Sequence, residues 1–108
     1  MSTPHNCRVA DIAISSNGDN TVIAAVTGRS IIVWAIDLEN EGADTNMVFK
    51  SGTNAFNATA ATILGGGNGW WRGDYADTPA FHCNPGEAFI INLSGAQSLT
   101  GQAKYQLL

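Results

Sequence analysis

The sequence predicts an all-β fold: an antiparallel two-sheet sandwich, jelly-roll-like, with about eight strands. Three observations carry that expectation. Side chains alternate with period two, most clearly where Ile32, Trp34, Ile36 and Leu38 share one side of an extended segment and Ile31, Val33, Ala35 and Asp37 share the other. A strand shows its two faces this way and a helix does not. Clusters of Gly, Asn, Asp and Ser break the pattern at intervals of about ten residues, a spacing suited to short strands and tight turns. Only 13% of the 108 residues are charged, against about 25% in ordinary globular chains. Strand faces this neutral suit cover by other subunits, with a solvated monomer as the alternative.

The elements follow in order. Met1–Asn6 is polar, contains Pro4 and reads as an arm. With Cys7 it precedes a single sandwich domain placed at residues 8–108. Arg8–Ser15 alternates Val9, Asp11 and Ala13 against Ala10, Ile12 and Ile14, as a first strand does. Ser16–Asn20 carries Asn17-Gly18, a strong turn dipeptide. Thr21–Thr27 is a mostly apolar strand, Gly28–Ser30 a turn, and Ser30–Glu39 the longest strand, expected to carry Trp34 inward. Asn40–Thr45 is an acidic loop, Asn46–Lys50 a strand, and Ser51–Asn54 a turn.

Ala55–Leu64 mixes alanines with the β-formers Thr59, Thr62 and Ile63 and reads as weak strand. Gly65–Gly69 has the greatest backbone freedom in the chain, and Trp70–Asp77 reads as an aromatic, charged loop. Thr78–Cys83 is a short strand, and Asn84-Pro85-Gly86-Glu87 a turn. Ala88–Leu93 is a strongly apolar strand and Ser94–Ser98 turns. In the final strand, Leu99–Leu107, the residues Leu99, Ala103, Tyr105 and Leu107 oppose Thr100, Gln102, Lys104 and Gln106.

Composition narrows the function. The net charge is −4, and the basic residues Arg8, Arg29, Lys50, Arg72 and Lys104 are dispersed. Phosphate recognition needs a clustered basic patch, so nucleic acid is not an expected partner. No apolar stretch approaches the ~20 residues of a membrane span, so no membrane partner is expected. The first residues lack a basic region followed by an apolar core, so no secretory signal and synthesis in a cytoplasm are expected. There Cys7 and Cys83 would stay as small thiols, although a sequence alone leaves their pairing open.

The possible chemical constellations are weak. Asp37, Glu39 and Glu41 with Gly42 imitate the start of a calcium loop, but Val48 stands where a bidentate Glu is needed. His5, Cys7, His82 and Cys83 are zinc-ligand types, yet His82 and Cys83 are adjacent and would point to opposite faces of a strand. There is no Gly-x-Ser-x-Gly elbow and no pair of carboxylates set for glycoside hydrolysis. The expectation is therefore no enzyme, no catalytic residue, no cofactor and no metal. One segment carries binding chemistry. In Gly65–Tyr75, the residues Trp70, Trp71, Arg72, Asp74 and Tyr75 form the expected partner-binding set, as aromatic and Arg anchors often do. The opposing reading is a loop folded back over its own sandwich.

Three stretches carry a family resemblance: Ala24-Ala-Val-Thr-Gly-Arg-Ser-Ile-Ile-Val-Trp34, Phe49-Lys-Ser-Gly-Thr-Asn54 and Gly86-Glu-Ala-Phe-Ile-Ile-Asn-Leu-Ser-Gly95. A Gly-centred last strand ending near Tyr105 follows them. Together they cover about half of the chain, and the chain resembles small β-sandwich structural proteins of tailed bacteriophages. The Ala60–Asp77 segment departs from that pattern.

The resemblance implies a jelly-roll-like sandwich in the virion, with no catalytic residues. The expected role is a capsid decoration (cement) protein that binds the outer shell between major-capsid subunits. It would be a homo-oligomer, a trimer favoured, made in the host bacterial cytoplasm. The alternatives are a tail- or baseplate-associated module, or a carbohydrate-binding module stacking sugars on Trp70, Trp71 and Tyr75.

Overall fold

A computed structural model describes residues 6–56, 61–73 and 78–108. The chain forms an all-β sandwich of two antiparallel sheets. Its strands are β1 (Arg8–Ile14), β2 (Gly18–Ile23), β3 (Ile31–Asn40), β4 (Thr45–Ser51), β5 (Asn54–Ala55), β6 (Ala61–Ile63), β7 (Asn68–Arg72), β8 (Phe81–His82), β9 (Phe89–Leu93) and β10 (Leu99–Leu107). Sheet A runs β1-β10-β3-β7, with β8 continuing the β7 line along β3. Sheet B runs β2-β9-β4-β5, with β6 continuing the β5 line along β4.

Among the described residues, counting each interrupted pair as one strand gives eight, the number expected from the sequence. The chain alternates between sheets at almost every step, and its last strands insert between early ones: β10 between β1 and β3, β9 between β2 and β4. That is the double Greek key of a jelly roll.

The core forms where the inner faces meet. Sheet A contributes Ile12, Ile31, Val33, Ile36, Leu38, Phe81, Leu99 and Ala103; sheet B contributes Ile23, Met47, Phe49, Ile63, Phe89, Ile91 and Leu93. Burying such a side chain stabilises the fold by roughly 1.5–3 kcal/mol. At the β5/β6–β7/β8 side an aromatic cluster closes the sandwich. Phe81 lies 4.8 Å from Phe49, 5.0 Å from Phe56 and 5.3 Å from Phe89, centroid to centroid.

Three expectations need correction. The first is the face of Trp34. Lys104 pairs with Ala35 and Tyr105 with Val33, so Trp34 is left over on β3 as a bulge. The extra residue shifts the alternation by one. Ile31 and Val33 point inward before it, and Ile36 and Leu38 after it. Trp34 is only half-buried and outside the core, its Nε1 donating to Gln106 Oε1 at 2.8 Å. The apolar run Ile31–Ile36 contains no polar residue to mark the change of phase.

The second correction concerns the turn after β1. Strand β2 begins at Gly18, inside the segment expected to be turn, because Gly18 already pairs with Leu93. The Asn20 amide closes the shortened turn by donating to Ser16 O at 2.8 Å. The third is the aromatic segment. Trp70, Trp71 and Arg72 are not a loop; they belong to β7, paired in register with β3. Of the arm, Met1–His5 lie outside the described residues, while Asn6 accepts a hydrogen bond from Gln106 Nε2 at 2.6 Å.

Candidate functional site: the Trp70–Trp71 edge and the two outer faces

Strand alternation divides the expected partner-binding set. Trp70 turns inward, opposite Leu38, and stacks on Phe49 with centroids 5.0 Å apart. Arg72 has the same parity, and its guanidinium lies 4.7 Å from the Phe81 ring centroid, a cation–π contact. Both therefore serve the aromatic cluster. Trp71 points the other way and is 60% exposed. Its indole lies along Gly73, where a Cβ would run into the ring. Asp74 and Tyr75 lie outside the described residues.

The glycine run ahead of β7 is clamped. Gly65 N donates to Asp44 Oδ1 at 2.8 Å, Gly66 N to Gly42 O at 2.9 Å and Gly67 N to Asn40 O at 2.7 Å. A Cβ on Gly65 would collide with the Gly42 carbonyl and the Ala43 backbone. Glycine is needed here for close approach. Asn40, wholly buried at the end of β3, organises both loops: its Nδ2 donates to Ala43 O at 2.8 Å and Ile63 O at 3.3 Å, and its Oδ1 accepts from Gly42 N at 2.9 Å. Asn40 was not singled out in the sequence. A lone Asn at a strand end gives no signal beyond a turn.

The outer faces of the sheets differ in charge. On sheet B, Lys50 Nζ reaches the two Asp19 carboxylate oxygens at 2.9 and 3.0 Å across β9, and Asn92 Nδ2 donates to the same carboxylate at 2.7 Å. The Asn92 bond first, and then Lys50, hold the Asp19 carboxyl below the usual carboxylate range. Around this neutralised pair stand Thr21, Ile90, Val48 and Asn46. On sheet A, the outward residues of the same kind are Asp11, Asp37 and Glu39 against Lys104. The neighbouring Glu41 carboxyl raises that of Glu39 above the usual range.

The nucleophile-type side chains sit in a structural network. Glu87 Oε1 accepts from Ser51 Oγ at 2.7 Å and from Asn84 Nδ2 at 2.9 Å, while Asn84 N donates to Ser51 Oγ at 2.9 Å. Cys83 is buried beside them, and burial pushes its thiol up to about 11. A thiol held protonated this way is a packing group. His82 is exposed and Cys83 buried, so the neighbours point to opposite faces as their adjacency predicts. His5 lies outside the described residues. Among the described residues, no group of three or more His, Cys, Asp or Glu is placed to hold a metal ion.

Compared with known protein families, curated proteins and solved structures, the chain matches none.

Proposed function

We propose that this chain is a non-enzymatic virion structural protein, a capsid decoration protein that lays the outer face of sheet B on the shell between major-capsid subunits. The observation that carries the reading is the Lys50–Asp19–Asn92 arrangement. It leaves a broad sheet face with its charges already compensated. Such a face is covered by another protein without burying a lone ion, which is the expensive step in docking charged surfaces. Half-buried Ile90 and Val48 at its centre supply apolar area, and Thr21 and Asn46 supply polar contacts at its margin.

The jelly-roll topology and the resemblance to phage structural proteins support the same reading. The role needs no cleft. Repeated around a shell, many modest contacts add up through avidity. Homo-oligomers, with the trimer first, belong to the proposal, because the chain has little charge for its size.

The test is fractionation. Heads and tails are separated from virions carrying this protein, and each fraction is assayed for it. Retention on heads is the expected result. Retention on tails would make it a tail or baseplate module, and absence from both would overturn the virion assignment.

A further inference from the structure

The pairing register of sheet A assembles a row of side chains that the docking face on sheet B does not use. Trp71 lies opposite Asp37, Asp37 opposite Gln102, and Gln102 opposite Asp11. All four are exposed. The row crosses the sheet at right angles to its strands, and at the usual strand spacing it spans about 14 Å. Gln102 Nε2 donates to Asp11 Oδ1 at 3.4 Å, so the far end of the row is tied together.

We propose that this row is a binding site for a neutral oligosaccharide, lying across the four strands with one sugar ring on Trp71. A pyranose ring offers C–H bonds on its faces and hydroxyls around its rim. An exposed indole beside fixed hydrogen-bonding groups meets both demands. The indole rests along Gly73, which leaves the ring seated on the edge strand with most of its surface in solvent. Asp37 and Asp11 accept from sugar hydroxyls, and Gln102 both donates and accepts. The next row toward the acidic loop is Gly69, Glu39, Thr100 and Ala13, in which the Glu39 carboxyl stands among small side chains as a further group for sugar hydroxyls.

The charges select the ligand. Asp11, Asp37 and Glu39 repel sulfated or uronic polymers. Among the described residues of this face Lys104 is the one cation set against Asp11, Asp37 and Glu39, so covering the row with apolar protein surface would bury uncompensated carboxylates, whereas sugar hydroxyls replace their water bond for bond. The site is on the opposite sheet from the proposed docking face, so the two readings stand or fall separately.

The experiment is a glycan array of neutral hexose and N-acetylhexosamine oligomers, with sulfated and uronic oligomers as the anionic arm. The full chain is the probe, and hits are titrated by NMR. Binding to a neutral oligomer is expected, with shifts confined to Trp71, Asp37, Gln102, Asp11 and their neighbours. Trp71→Ala and Asp37→Ala should each weaken it about tenfold or more. If Trp71→Ala disturbs β7, Asp37→Asn and Gln102→Ala test the same row from the centre of the sheet. No glycan binding, preference for the anionic arm, or wild-type affinity in the folded variants would overturn the proposal.

Discussion

Trp70 of β7 stacks on Phe49 of β4 across the sandwich, with ring centroids 5.0 Å apart and planes inclined by 23°. The contact joins sheet A to sheet B at the side where both edge strands are interrupted. It also separates two adjacent tryptophans by role. Trp70→Ala removes a large ring from the aromatic cluster and should destabilise the fold by about 2–4 kcal/mol, reaching below the core Trp range because Trp70 is half-buried. Trp71→Ala should stay within about 0.5 kcal/mol of wild type. Urea denaturation of the two single variants checks this split, and equal losses would contradict it.

Trp34 behaves as a surface-side residue of the bulge. Its loss costs the hydrogen bond to Gln106 and part of its packing, about 1–2 kcal/mol, well below the roughly 3–5 kcal/mol of a core tryptophan. A thermal melt of Trp34→Ala measures this. A loss in the full core range would place the side chain inside.

The residues that made the fold legible are those with an unbroken pattern. Leu99–Leu107 alternates without interruption, and β10 has those bounds. The Asn84–Glu87 turn lies between β8 and β9 as expected, while the turn expected at Ser51–Asn54 narrows to Gly52 and Thr53 because Ser51 and Asn54 already pair in β4 and β5. The pattern misled at Trp34, where a bulge reverses the faces within a run of apolar residues. It misled again at Trp70–Arg72, where Gly65–Gly69 suggested a free loop. Gly65 is instead selected by the close approach of the Gly42–Ala43 backbone, a long-range fact that local composition does not carry, and Gly66 and Gly67 by their positive φ. The aromatic character of the site was legible, but Asp37, Gln102 and Asp11 join Trp71 only through strand register.

Gly65→Ala tests the clamp between those loops. The added methyl group has to displace the backbone at Gly42 and Ala43, so about 1–3 kcal/mol of destabilisation is expected. Hydrogen exchange should show the loss concentrated at Gly66 and Gly67, whose amides bond to that loop. Wild-type stability and exchange would show that the approach is not tight.

Acid should weaken the fold through Glu87. Ser51 first, and then Asn84, hold its carboxyl below the usual range. A depressed folded-state value means that the contribution is fully present above the unfolded value and is lost as pH falls through the folded one. Glu87→Gln should therefore be less stable than wild type at about pH 7, with the gap closing toward about pH 3. Urea denaturation at the two pH values measures the gap, and a gap independent of pH would contradict the assignment.

The docking face is tested most directly by co-sedimentation of the purified protein with isolated heads stripped of it. Ile90 stands at the centre of the outer face of sheet B, flanked by Thr21 and Lys50, and Ile90→Glu sets a second carboxylate against the one Lys50 ammonium already paired with Asp19, leaving a net negative charge on the face without touching the core. Wild-type protein is expected to pellet with heads, and folded Ile90→Glu to stay in the supernatant. Equal pelleting of the two, or failure of the wild type to bind heads at all, would contradict it.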